Sequence, residues 1–222
     1  MAKREEGPAG VLCADLLSEQ TLRGALSALQ RGPIRFKRNH VIACEGDSAD
    51  YIFFVVNGVI RSCKTFQNGE RAVVAFYLPG DLFGWDAETR PLSIEAASDA
   101  MVMLIKRRGL SALAESNKHL SAFLRSTISA ELERAQEYAT TISMCARDRF
   151  LAFLEEWSRR SGTSGSVRLT IGYQDIADHL GIKIETLSRV ITELERSGAL
   201  ARVPSRGVLT LKHLPVVGQN NR

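Results

Sequence analysis

At 222 residues, 45% apolar and 24% charged, the chain is long enough for one large or two small globular domains with real cores. No apolar run nears the ~18 residues of a membrane span, and MAKREEGPAG has no apolar stretch behind its charges, which points to a cytoplasmic protein without a membrane partner. The net charge is only +4, but residues 1–144 hold 17 Lys/Arg and 17 Asp/Glu whereas residues 145–222 hold 12 and 8, so the excess positive charge sits in the C-terminal third, as a polyanionic partner favours.

Residues 1–15 read as a leader. The spacing of Leu16, Leu17, Leu22, Leu26 and Leu29 predicts a short amphipathic helix that Pro33 ends, so residues 1–30 form a first segment. Over 31–117 the texture changes to short β-prone runs: VIACEG, YIFFVVNG, VIRSCKTF, AVVAFYLPG and MVMLIK. Gly46, Gly58, Gly69 and Gly80 recur at intervals of 12, 11 and 11 residues, and Asn57-Gly58 and Asn68-Gly69 are hairpin signals. Evenly spaced turns of this kind predict an antiparallel β-roll of jelly-roll type. Cys13, Cys44, Cys63 and Cys145 show no C-x-x-C spacing, so they are read as free thiols and no metal site is assigned.

From about Arg108 the period becomes helical. Leu120, Leu124, Ile128, Leu132, Ala135, Ala139 and Ile142 step by 4, 4, 4, 3, 4 and 3. The stripe is read as a dimerisation helix over 118–144, with a helix lying along the β-roll as the alternative. Arg147–Arg160 predicts another amphipathic helix through Phe150, Leu151, Phe153, Leu154 and Trp157, closed by a turn-rich Ser161–Ser166.

The most informative stretch is Gln174–Ser197, QDIADHLGIKIETLSRVITELERS. Ile176, Ala177 and Leu180 are the apolar side of a first short helix, and Gly181 follows where a helix end takes positive φ. At ~100° per residue, Ile184, Leu187, Val190, Ile191 and Leu194 share one arc of a second helix. Glu185, Ser188, Arg189, Thr192 and Arg196 share the opposite one. This is the helix-turn-helix pattern. A carboxylate accepts from cytosine N4, a guanidinium forks onto guanine O6 and N7, and a hydroxyl takes either role. Glu185, Ser188 and Arg189 are therefore the candidate base contacts, and Lys183, Thr186 and Arg206 the candidate phosphate contacts. The alternative is an ordinary solvated face with an i,i+4 Glu–Arg pair. Leu200–Arg202 and Val208–Leu211, joined by Pro204-Ser205-Arg206-Gly207, predict a hairpin, which makes 145–222 a winged helix-turn-helix. The whole is an α+β chain.

The order of β-roll, long helix and winged helix resembles the bacterial CRP/FNR transcription regulators over about residues 20–213. Leu78–Gly84, LPGDLFG, is similar to the family's β-roll signature, and Glu185–Arg189, ETLSR, resembles the E-x-x-S-R recognition motif of its FNR-type branch. The resemblance implies a homodimer that reads a TTGAT-N4-ATCAA palindrome through Glu185, Ser188 and Arg189 and contacts RNA polymerase as an activator. Departures from the family pattern bear on sensing. Cyclic-nucleotide binders carry Gly-Glu and then Arg-Ser or Arg-Thr, which holds the phosphate; here Gly84 precedes Trp85 and the later pair is Leu92-Ser93, with Arg90 nearby as a group for some other anion. The family's iron–sulfur cysteine cluster is reduced to Cys13. No cofactor is assigned. What is left resembles the FixK subgroup, regulators of low-oxygen respiration and nitrogen fixation genes. One more departure is Lys183, where a Thr or Ser commonly caps the recognition helix.

The alternative within transcription is a regulator gated by a small effector in the β-roll. Haem finds no support, since His40, His119, His179 and His213 are scattered. The third class, an enzyme or nucleotide-binding adaptor, lacks a Ser/His/Asp set, a P-loop or paired carboxylates. Cys145, beside Arg147 and Arg149, is entered as a candidate redox thiol, with a packing role as its alternative.

Overall fold

The computed structural model describes residues 28–85, 88–162, 166–203 and 208–211, of which 166, 202–203 and 208–211 are described by backbone alone. Two compact units divide the chain between Arg134 and Ala135. The leader, most of the predicted N-terminal helix, Cys13, Arg206 and His213 lie outside the described residues.

The first unit is a roll of two four-stranded antiparallel sheets. Their strands are β1 (Gln30–Phe36), β2 (Val41–Ala43), β3 (Tyr51–Asn57), β4 (Ile60–Thr65), β5 (Arg71–Tyr77), β6 (Leu82–Phe83), β7 (Ser93–Ala96) and β8 (Ala100–Lys106). One sheet runs β1-β8-β3-β6 and the other β2-β7-β4-β5. Period-two alternation sends Phe53, Val55, Phe83, Ala100 and Val102 from the first sheet and Ile60, Tyr77, Ile94 and Ala96 from the second into one shared core. Its centre is aromatic: the Tyr77 and Phe83 rings stack at 3.8 Å and 8°, and Phe53 stacks on Phe83 at 5.3 Å.

The β-prone runs of the sequence correspond to β2, β3, β4, β5 and β8. Strands β1, β6 and β7 were not anticipated. Pro33 does not end a helix; it lies inside β1, an edge strand whose register with β8 shifts between Arg31 and Ile34. An edge with a register shift is where a strand tolerates a residue lacking an N–H.

The helix α1 (Arg107–Ser116) follows β8, and the 24-residue α2 (Lys118–Thr141) follows α1. Leu110 and Leu120 pack with Ile52, Leu82 and Ile105, and Trp85, Phe123 and Leu124 flank this second cluster. The Tyr77 hydroxyl donates to Glu131 Oε1 at 3.2 Å and holds α2 against β5.

The second unit carries α3 (Ala146–Ser161), β9 (Ser166–Arg168), α4 (Tyr173–Leu180), α5 (Ile184–Arg196), β10 (Leu200–Val203) and β11 (Val208–Leu211). The β10–β11 hairpin forms as expected, pairing Leu200 with Leu211 and Val203 with Val208, and β9 adds to its far edge. Phe150, Leu154, Ile176, Leu187, Ile191 and Leu194 are among its fully buried side chains.

Gly58 gives a stability test for the roll. Its φ is +80°, and a Cβ there would stand 2.3 Å from the Asp99 carbonyl oxygen. Gly69 has a similar φ of +83° but nothing within 4 Å. Gly58→Ala should cost well over 2 kcal/mol and Gly69→Ala about 1 kcal/mol. Urea unfolding, followed by Trp85 fluorescence in a Trp157→Phe background, measures both.

Candidate nucleic-acid interface

The second unit builds its polar surface from the apolar side outward. Helix α4 ends at Gly181, whose φ of +62° turns the chain, while Ile182 donates its N–H back to the Ala177 carbonyl at 3.1 Å. Lys183 is the N-cap of α5, with extended backbone and no side-chain cap, and its carbonyl accepts from the Thr186 and Leu187 amides at 3.0 and 3.1 Å. Leu187, Val190, Ile191 and Leu194 are all buried, which fixes the rotation of α5 about its axis. Ile184, grouped with them by periodicity, is 38% exposed because it opens the helix before the buried stripe begins.

Glu185, Ser188 and Arg189 are exposed on the opposite face, with Lys183 exposed beside them and Thr186 half-buried. The Arg189 Nη2 donates to Thr186 Oγ1 at 3.3 Å. Among the described residues no ion pair joins Glu185 to Arg189, and neither Glu185 nor Ser188 has a side-chain partner. A carboxylate and a hydroxyl thus stand unengaged on the first turns of one helix, beside a guanidinium whose one contact is to a threonine hydroxyl of the same helix. Glu185 also lies in the first turn, where the helix dipole favours a carboxylate.

The helix predicted over 118–144 ends at Thr141, so six of the seven stripe residues lie in α2 and Ile142 in the turn that follows; the seven divide into two groups. Leu120 is buried and Leu124 half-buried, both against the roll of the same chain. Ile128, Leu132 and Ile142 are 44%, 59% and 44% exposed, and Ala135 and Ala139 are exposed with them. Cys145 is exposed at the N-cap of α3. Its two arginine neighbours are engaged elsewhere: Arg147 Nε lies 3.5 Å from Glu193 Oε1, and Arg149 donates to the Met144 and Leu180 carbonyls, both at 2.9 Å.

In the roll, Arg90 is 2% exposed, donates through Nη2 to the Tyr51 carbonyl at 2.5 Å and lies over the Phe53 ring at 4.5 Å. A Cβ on Gly84 would come within 3.2 Å of its Nη1. A cyclic phosphate needs an inward guanidinium as countercharge. Arg90 is instead bound to the fold's own carbonyl and ring, Leu92 supplies no charge, and Trp85 packs beside the α1–α2 cluster. Among the described residues these positions do not fit a cyclic nucleotide. Nor do those residues gather three or more His, Cys, Asp or Glu in a way that could hold a metal ion. No described helix is long and apolar enough to cross a membrane.

A two-sheet roll, a long helix and a winged helix-turn-helix with an exposed polar face define a DNA-binding transcription regulator. Comparison with known proteins agrees at the level of each part: a profile of the cyclic nucleotide-binding domain matches residues 33–117, and one of the Crp-like helix-turn-helix domain matches residues 148–215. The chain belongs to the CRP/FNR family. It is 41% identical over 184 residues to the nitrogen fixation regulation protein FixK of Azorhizobium caulinodans, covering 80% of this chain and 74% of that protein. It is 32% identical over 194 residues to the anaerobic regulatory protein of Haemophilus influenzae, covering 83% and 75%. Among solved structures, FixK2 from Bradyrhizobium japonicum superimposes with a TM-score of 0.76 at 31% identity, covering 82% of this chain and 92% of that one.

The described thiols should differ sharply in reactivity. Burial, and next the nearby Glu95 carboxylate, push the Cys63 thiol up to about 11, whereas Cys44 and Cys145 are exposed. Since the thiolate is the nucleophile, peptide mapping after brief iodoacetamide treatment at pH 8 should show Cys63 alkylated at least about tenfold more slowly than the other two.

Proposed function

We propose that the protein is a homodimeric activator that reads a TTGAT-N4-ATCAA palindrome through Glu185, Ser188 and Arg189. The observation that carries this reading is the set of exposed polar side chains on α5, aimed outward by the burial of Leu187, Val190, Ile191 and Leu194. One α5 covers one half-site, so a palindrome needs a second copy related by a twofold axis. The exposed part of the α2 stripe supplies the seam. From Ile128 its steps are 4, 3, 4 and 3, the a/d alternation of a coiled coil. The 4-step rows at Leu120 and Leu124 belong to docking on the roll.

Control of nitrogen fixation or low-oxygen respiration genes is supported by the names of the FixK and anaerobic regulatory relatives. The reading of binding without cyclic nucleotide or iron–sulfur cluster is supported by the contacts of Arg90 with Tyr51 and Phe53 and by Cys13 having no C-x-x-C neighbour. Contact with RNA polymerase completes the activator reading, and the lack of a membrane-spanning helix among the described residues accords with work in the cytoplasm.

Fluorescence anisotropy of the protein on a TTGAT-N4-ATCAA duplex, with no ligand added, should give submicromolar binding. Each altered base pair within a half-site should cost about 1–3 kcal/mol. Weak, sequence-blind binding would overturn the reading and direct attention to a small effector in the roll.

Lys183 has a separate role in this scheme. A cation at the N-terminus of α5 opposes the helix dipole, and a DNA phosphate beside it removes that conflict. Lys183→Thr should therefore flatten the salt dependence of binding, lowering the slope of log Kobs against log[salt] by roughly one unit. An unchanged slope would remove Lys183 from the contact set.

A further inference from the structure

We infer that Tyr138 and Arg149 are positioning residues for the DNA-reading surface, holding the end of α4 through two backbone carbonyls and so fixing where the turn delivers α5. The inference rests on the reading of α5 as the DNA-contacting helix, and its test separates the two.

Both side chains lie in the second unit and both end on the same short segment. The Tyr138 hydroxyl, on the last turns of α2, donates to the His179 carbonyl at 2.6 Å. Its ring stacks on the His179 imidazole at 4.8 Å and 23°, and Phe153 of α3 meets that imidazole edge-on at 5.8 Å. Arg149 donates from Nη1 to the Leu180 carbonyl and from Nε to the Met144 carbonyl, both at 2.9 Å. One guanidinium thus ties the connection between α2 and α3 to the last residue of α4.

The choice of acceptors is chemically pointed. The last carbonyls of a helix have no partner within it, and a cation at a helix C-terminus is favoured by the dipole. Two of the final carbonyls of the eight-residue α4 are therefore taken by side chains from outside the helix-turn-helix. Gly181 follows at once, and only Ile182 and Lys183 separate it from α5. A displacement of the α4 end passes to the recognition helix through three residues. Burial pushes the Tyr138 phenol up, with the Arg149 charge partly opposing, so the hydroxyl keeps its proton and remains a donor at neutral pH. Neither residue needs to touch DNA to govern how α5 meets it.

The test uses full-length Tyr138→Phe, which keeps the ring and deletes the donor, alongside Arg149→Lys, which keeps the charge and deletes the fork. Hydrogen–deuterium exchange of the DNA-free proteins should accelerate several-fold in peptides spanning 177–187, with roll peptides unchanged. Affinity for the palindrome should fall about tenfold, with binding to a scrambled duplex, the salt slope and the melting temperature unaltered. Wild-type exchange and affinity in both variants would overturn the inference. So would acceleration spread evenly over the second unit with a lowered melting temperature, which marks plain packing, or a reduced salt slope with weakened scrambled binding, which marks a phosphate contact. The exchange result stands whatever sequence the protein reads. Wild-type protein that does not prefer the palindrome, together with local acceleration in the variants, would retire the operator and keep the positioning role. Should one variant fail to fold, the other decides the matter.

Discussion

The burial of one stripe on α5 is the constraint on which the rest of the structure depends. A helix in contact with a core has one rotational setting at which its apolar residues are covered. Leu187, Val190, Ile191 and Leu194 select that setting here. Removing any of them from water is worth about 1.5–3 kcal/mol, so a rotation that exposed the stripe would cost several times the value of any surface contact. The polar face is therefore not held by its own interactions. Glu185 and Ser188 have no partner among the described residues, and their aim is set from the far side of the helix. Such an arrangement leaves these two side chains able to bond to another molecule without first breaking an internal contact.

The roll uses its buried charges differently. Arg61 donates from Nε and Nη2 to Glu95 Oε2 at 2.9 and 2.6 Å and from Nη2 to Asn39 Oδ1 at 3.2 Å, binding β4 to β7 and to the turn after β1. Removing one partner of such a pair would strand a charge in the interior, a cost of several kcal/mol. Arg90 is spent in the same manner on the Tyr51 carbonyl and the Phe53 ring. Both guanidinium groups are structural members of the fold. Among the described residues the buried cations of the roll, Arg61 and Arg90, are thus engaged by the protein itself.

What the sequence disclosed follows from how each element is stabilised. The helix-turn-helix was legible because its signals are local: a Gly at the turn, apolar residues every three or four positions and a polar arc opposite. The strands β2, β3, β4, β5 and β8 were legible for the same reason. Strand β6 has only two residues, and β7, Ser-Ile-Glu-Ala, has a single β-branched residue, so neither forms a β-prone run as the Val-Ile pair of β2 does. Strand β1 has five exposed residues of seven and a proline, so nothing in its composition sets it apart from a loop. Periodicity placed all of Leu120–Ile142 on one stripe but not the surface each residue would meet. The Tyr138 and Arg149 contacts were invisible because they end on backbone carbonyls, which carry no sequence signature at all.

The stripe on α2 shows how much information lies in the step sizes themselves. A row of 4-residue steps drifts around a helix and suits a slanted crossing over a sheet, whereas alternating 4 and 3 steps stay in line with a parallel partner helix. Leu120, Leu124 and Ile128 follow the first rule, and the first two of them do pack on the roll. Ile128, Leu132, Ala135, Ala139 and Ile142 follow the second and are exposed. At 1.5 Å per residue the helical part of the second set, Ile128 to Ala139, spans roughly 16 Å, and Ile142 follows in the turn after α2. The change of rule at Ile128 coincides with the change from covered to uncovered side chains. Solvated leucine and isoleucine at heptad spacing are costly to leave in water, and the small Ala135 and Ala139 between them allow a close approach. In the proposed homodimer a second copy of the same helix would satisfy both conditions with no residue added, and the symmetry of such a pair is the symmetry a palindrome requires.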